Sequence, residues 1–278
     1  MITGKSRAPY ILSILIAVLS MVASAVGLFS PSLYQDNALV TAAWHGNDLI
    51  TLIITVPMLL GSMYFTLRGS GKGLLLWIGA LGYMLYNYIF YLYGTAFNGF
   101  FLIYVLLFTL SIYNLILFAV KTDALAISQA FSPRTPTRSV SVFMLFFGVL
   151  LGGLWIAMSL GFVFMGKVPA AITQTDHSTG IVFATDLSLL VSTLLVSAIL
   201  LWQKKPWGYV LATAILVKAS TYGLVMMSMS VFTSIELGIV DPMIPLWILL
   251  SLGCLISCFL MLVNLKQAAL KEILKREG

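Results

Sequence analysis

IVFATDLSLLVSTLLVSAILLWQKKPWGYVLATAILVKASTYGLVMMSMSVF, residues 181–232, holds two apolar runs parted by a short turn at Lys204 and Lys205. Each run is long enough to cross a bilayer, which takes ~20 apolar residues as a helix. Neither alternates as a strand would, and in lipid only helices and closed barrels satisfy their own backbone. Each run also carries one ionisable residue, Asp186 in the first and Lys218 in the second. A charge inside a span is costly, so it turns toward other helices or a wet cavity and marks a site by default.

The rest of the chain has the same character. Apolar residues make up 60% of its 278 residues and charged ones 9%, with a mean hydropathy of +1.05. Soluble domains carry about 25% charged residues to keep a solvated surface. Apolar stretches fall at 10–30, 49–67, 74–93, 99–120, 140–165, 181–202, 208–232 and 243–265. The expected fold is therefore an all-α integral membrane protein with eight transmembrane helices. It divides into a first four-helix half (residues 1–120), a linker by composition (121–139), a second four-helix half (140–265) and a basic tail (266–278).

The basic residues predict orientation. Apart from Lys167 and Lys218, every Lys and Arg precedes span 1, follows span 8, or lies between spans 2 and 3, 4 and 5, or 6 and 7. The positive-inside rule then puts both termini in the cytoplasm. The formal charge of +6 is met by topology and anionic inner-leaflet lipid, so the expected partner is the bilayer and no nucleic acid. The expected location is the plasma (inner) membrane of a bacterium or archaeon. A competing reading of the N-terminus takes Lys5, Arg7 and Ala23-Ser24-Ala25 as a cleaved signal peptide, leaving seven spans, although the apolar run continues to Phe29.

Residues 31–47 read as an outer loop, with Asn47 or Asp48 as the N-cap of span 2. Pro57 predicts a kink in that span, and Arg68 to Gly73 a flexible glycine-rich turn. In span 3, Tyr83, Asn87 and Tyr91 are four apart and share a face, read as buried against other helices or lining a cavity. The linker's Leu125, Ile127 and Phe131 are expected at the membrane surface, as are Leu270, Ile273 and Leu274 on one face of the tail. Gly148 and Gly152 predict close helix packing. Cys254 and Cys258 are four apart and read as packing, not redox chemistry. His45 and His177 have no metal-ligand spacing, so no metal or cofactor is expected. Microbial rhodopsins carry an aspartate four residues before their span-7 lysine. Ala214 stands there in this chain and eight spans are counted, so that likeness is set aside.

The halves match weakly. Superposing Asp48 on Asp186 pairs Leu49 with Leu187, Leu52 with Leu190 and Thr55 with Thr193. After a shift of three residues Gly73 meets Gly208, Tyr83 meets Lys218 and Asn87 meets Tyr222. Four helices per half make this a parallel repeat.

By helix rise, Asp186 lies roughly 6–8 Å below the outer edge and Lys218 about 15 Å above the inner one, leaving a gap of ~9 Å. Two readings stand: a buried structural ion pair, or a solute or proton site. The candidate residues for binding a small polar solute are Asp186, Lys218, Asp48, Asn87, Tyr83 and Tyr222. The leading functional expectation is a small-solute transporter or permease with an outward-facing polar cavity around Asp186 and Lys218. The alternatives are a non-catalytic, partner-binding membrane subunit, or a membrane enzyme acting on a lipid or quinone, for which no convincing nucleophile or metal set is present.

Overall fold

In the computed structural model, which describes residues 7–268 and 270, many small and polar residues turn inward, and the outward faces of the helices are rich in large apolar ones. The first span, α1 (Ala8–Phe29), shows the rule. Its buried face is Ser13, Ile16, Ala17, Ser20, Ala23, Ser24 and Gly27, at helical spacing. Its exposed face carries Ile11, Ile14, Leu15, Val18, Met21 and Val22. Lipid takes the bulky side chains at no cost, whereas small ones let helices approach closely. Ser13 Oγ accepts from Trp77 Nε1 at 2.8 Å and Asn114 Nδ2 at 2.7 Å, stapling α1 to the third and fourth spans.

Among the described residues seven more helices are long and apolar enough to cross a membrane: α2 (Ala38–Leu67), α3 (Gly71–Tyr93), α4 (Phe101–Lys121), α5 (Thr137–Met165), α6 (Ile181–Trp202), α7 (Pro206–Leu237) and α8 (Ile244–Asn264). These eight helices give the chain the build of a polytopic membrane protein. Among the described residues no strand forms, only an isolated bridge between Phe131 and Leu265. Successive helices alternate in direction. The connections at 30–37, 94–100, 166–180 and 238–243 thus share one face, here the loop face. Residue 7, the 68–70 turn and the 203–205 turn lie on the opposite, terminal face.

The helix α2 departs from expectation. It begins at Ala38, capped by Asn37, whose side chain accepts from Val40 N at 3.0 Å. Asp48 is therefore inside a helix and is not its cap. The polar run His45-Gly46-Asn47-Asp48 reads as loop, yet Gly46, Asn47 and Asp48 are buried. Gly46 lies against the backbone of α7. A Cβ there would stand 2.5 Å from Met229 N and 2.6 Å from Ser228 C, so only glycine fits. A π-helical stretch, Thr51–Thr55, stands just before Pro57. Proline lacks an N–H and clashes with the carbonyl four residues back, and the wider turn accommodates both. In α6 a second π-helical stretch runs Asp186–Val191.

At the centre of the bundle, α7 packs against α2, α3, α6 and α8, and α3 packs against α2, α4 and α7. Around this pair, α1 contacts α2 and α4, while α5 contacts α6 and α8. Gly148 and Gly152 of α5 do meet α6, where a Cβ would stand 2.9 Å from Leu195 Cδ2 and 3.0 Å from Val191 Cγ1.

Segment 121–139 is more than a linker. It contains a helix, Ala124–Gln129, capped by Asp123 and packed on α7. Ile127 and Phe131 are buried within the protein, while Leu125 is exposed. Phe131 packs at a tilt against Tyr209, and Ser132 N donates to Asn264 O at 2.8 Å. The described part of the tail also docks: Gln267 Oε1 accepts from Gly71 N at 2.9 Å, and Leu270 is buried. The remaining tail positions, including Ile273 and Leu274, lie outside the described residues.

Candidate functional site

A cavity of about 240 Å³ opens from the loop face between α2, α3 and α5–α8. Its walls are mainly aromatic and apolar: Trp44 from α2, Phe90 from α3, Phe147 and Trp155 from α5, Tyr222, Met226 and Met229 from α7, and Trp247 from α8. Asp186 and Lys218 both line it. Its chemistry therefore differs from the polar cavity expected: an apolar chamber with a few charged or polar groups set into the wall.

No salt bridge joins the two charged residues. Tyr86 stands between them. Its hydroxyl donates to Asp186 Oδ1, and its ring face lies against Lys218 Nζ, 3.1 Å from nitrogen to ring centroid. The other oxygen, Asp186 Oδ2, accepts from Trp155 Nε1 at 2.8 Å. Each carboxylate oxygen thereby accepts one hydrogen bond. The π-helical stretch that begins at Asp186 shifts the α6 register at this point, and such single-turn insertions recur at functional sites.

Lys218 is buried at 2% exposure. Its Nζ has no hydrogen-bond partner among the described residues. Besides Tyr86, it lies 4.8 Å from the ring centroid of Tyr222. Tyr86 and Tyr222 pack edge to face, their centroids 4.8 Å apart. The two rings form a partial aromatic cage, an arrangement that attracts a cation by about 2 kcal/mol where water is excluded. An ammonium has three donors, and ring faces do not replace oxygen acceptors.

A second cavity, about 200 Å³, lies toward the terminal face and shares Tyr86, Leu190 and Lys218 with the first. Leu85, Leu115, Leu189, Leu211 and Ile215 also line it. Tyr86 and Lys218 thus form a layer with open volume on either side.

The remaining residues singled out from the sequence lie elsewhere. Asp48, Asn87 and Tyr83 are absent from the walls of both cavities. They belong to a packed polar network between α2 and α3. Asp48 Oδ1 accepts from Tyr91 at 2.8 Å, and Oδ2 accepts from Tyr34. Asn47 Nδ2 donates to Asn87 Oδ1 at 2.8 Å, and Tyr83 donates to Asn47 Oδ1 at 3.1 Å while sharing a 2.7 Å bond with Thr51. Gly27 of α1 closes over Asp48, where a Cβ would stand 2.8 Å from its carboxyl carbon. Burial and the nearby Asp48 charge push the Tyr34 hydroxyl well above its ordinary pKa, so it remains a donor.

The loop face is held by cross-links. His45 pairs with Glu236 at 2.9 Å. Asn37 Nδ2 donates to Asp176 Oδ2 at 2.8 Å, and Asp36 Oδ1 accepts from Ala96 N at 2.8 Å. His177, which also lines the first cavity, bonds Gly94 O at 2.9 Å. Asp241 accepts from Ser230 and from Trp247 Nε1, fixing that tryptophan in the cavity wall.

No family model matches the chain, and neither a curated protein nor a solved structure does.

Proposed function

We propose that the protein is a small-solute transporter or permease whose solute enters from the loop face and reaches the Tyr86–Lys218 layer. One observation carries this reading: two cavities meet at the same buried tyrosine and lysine. A protein that served only to hold a partner would have no need of a buried cation without a hydrogen bond between two open volumes. Burying such a group is expensive, and intramembrane charges of this kind mark substrate or ion pathways. Asp186, Lys218, Tyr222, Tyr86 and Trp155 are the proposed site residues. Asp48, Asn87 and Tyr83 act in this proposal as the frame that holds α3 against α2.

The positive-inside count supports an orientation with both termini in the cytoplasm, so the first cavity faces outward. The location proposed is a bacterial or archaeal plasma membrane. A parallel repeat is supported by two likenesses. Both α2 and α6 carry an aspartate near a π-helical stretch. The central helices α3 and α7 occupy equivalent places in the two halves. Many transporters place their site between two such repeats.

The test uses single cysteines in a background lacking Cys254 and Cys258. Met226→Cys lies in the first cavity and Ala214→Cys in the second. A membrane-impermeant thiol reagent should reach position 226 only from the loop face and position 214 only from the terminal face. Reaction of position 214 from neither side would sink the transport reading.

A further inference from the structure

We propose that the solute is a small amphipathic organic anion, its carboxylate bound at Lys218 and its apolar body against the aromatic walls. The inference rests on reading this cavity as a solute site, and it concerns what the site would accept.

The argument is one of unmet demand. Asp186 already accepts one hydrogen bond at each oxygen, from Tyr86 and from Trp155 Nε1, so protein donors meet part of its demand. Lys218 has the opposite balance: it lines the cavity, and its buried Nζ lies over two ring faces with no hydrogen-bond partner among the described residues. The missing group is an oxygen acceptor, and an ionised one suits an ammonium best, since charge-assisted hydrogen bonds are roughly twice as strong as neutral ones. The walls then exclude a small inorganic anion. Trp44, Phe90, Phe147 and Trp247 line the cavity with aromatic, largely apolar surface, and a hydrated ion would lose its water there without compensation. A single charge is indicated, because Lys218 is the one Lys or Arg among the described residues that line the cavity. Size follows from volume. At about 240 Å³ the cavity is below the ~300–1,000 Å³ of sites for drug-sized ligands. One or two fused rings fit, and the paired chains of a phospholipid do not.

The experiment compares three probes with one naphthalene body: 2-naphthoate, 2-naphthalenemethanol and 2-naphthylmethylammonium. Each is titrated calorimetrically into the purified full chain in a neutral detergent. The carboxylate should bind about tenfold or more tighter than the alcohol, as expected for hydrogen bonds to a charged group, and the amine weakest. Lys218→Met should lower naphthoate to the level of the alcohol, and Lys218→Arg should keep the preference. Trp247→Ala should weaken all three probes without changing their order. Alcohol or amine binding as tightly as the carboxylate in the native protein would overturn the inference, whether or not any variant folds. So would an undiminished carboxylate preference in Lys218→Met. Gradient-driven uptake into proteoliposomes separates this inference from the transport reading. Naphthoate that binds with preference but is never taken up overturns transport alone. Uptake of the alcohol or amine in its place upholds transport and overturns the anion.

Discussion

Lys218 Nζ lies 3.1 Å from the centroid of the Tyr86 ring, whose hydroxyl donates to Asp186. One tyrosine thus serves both charges at once, by its face to the cation and by its edge to the anion. Charges in a buried pair usually neutralise each other directly, which closes the space between them. Here an aromatic ring occupies that space, and the ammonium stays turned toward the cavity.

The two functions of Tyr86 are separable by mutation. Tyr86→Phe keeps the ring and removes the donor, leaving Asp186 with Trp155 alone. A buried acceptor deprived of a partner costs about 1–3 kcal/mol. Tyr86→Leu removes the ring as well, adding a further loss of about 0.5–2 kcal/mol from the cation–π contact. Thermal unfolding in detergent should rank wild type above Phe above Leu. Equal stability of the Phe and Leu variants would mean that the ring contributes nothing to holding Lys218.

The α2–α7 contact depends on Gly46. A methyl group there meets the backbone of Met229 and Ser228, which cannot rotate aside as a side chain would. Gly46→Ala should cost about 1–3 kcal/mol or more through overpacking. Gly61 of the same helix faces open space, with nothing within 4 Å of an added Cβ. Gly61→Ala should be neutral or stabilise by up to about 1 kcal/mol through helix propensity. Comparing the two variants by unfolding midpoint isolates the close approach from any general effect of losing glycine.

Much of this fold was legible because lipid leaves a strong mark on composition. The spans, and the cavity position of Asp186 and Lys218, follow from apolar length and from charges where none is cheap, whereas Tyr222 was singled out only by the weak match of the two halves. The start of α2 was not legible, because Asn47 and Asp48 carry the polarity of a loop while being buried by α1, α3 and α7. The usable signal was Asn37, a good cap followed by a run that favours helix. Tyr86 and Trp155 were missed for another reason. In a stretch crowded with tyrosines, sequence alone does not say which hydroxyl meets Asp186, and Trp155 sits in a glycine-rich helix that reads as packing. Their roles depend on the approach of α3 and α5 to α6, a tertiary fact with no local signature.

Acid should affect the loop face through Asp36, which lies between α1 and α2, outside the spans. Burial holds its carboxyl above the ordinary value despite the bond from Ala96 N. With the folded pKa raised, the favourable contribution is fully present below the unfolded value of ~3.9. It is lost as pH rises through the folded value. Asp36→Asn has no proton to lose. Its stability relative to wild type should therefore improve as pH goes from about 4 to about 7. A difference that stays flat across that range would contradict the burial argument.

The polar network around Asp48 and the cavity around Asp186 should respond differently to equivalent substitutions. Asp48 accepts from Tyr34 and Tyr91, and all three are buried away from both cavities. In Asp48→Asn one acceptor oxygen becomes an NH₂ group facing a hydroxyl donor, so one of the two bonds must break or invert. The cost should be about 1–3 kcal/mol. Asn87→Leu should cost a similar amount, because it strands the Asn47 amide. Neither variant touches the walls around Lys218, so both should bind 2-naphthoate as the native protein does once folded. Asp186→Asn disturbs the group that positions Tyr86, and through that ring Lys218. It should weaken naphthoate as well as stability. The discriminating measurement is naphthoate affinity at a temperature well below each variant's midpoint. If Asp48→Asn loses binding while still folded, the α2–α3 network is part of the solute path and not its frame.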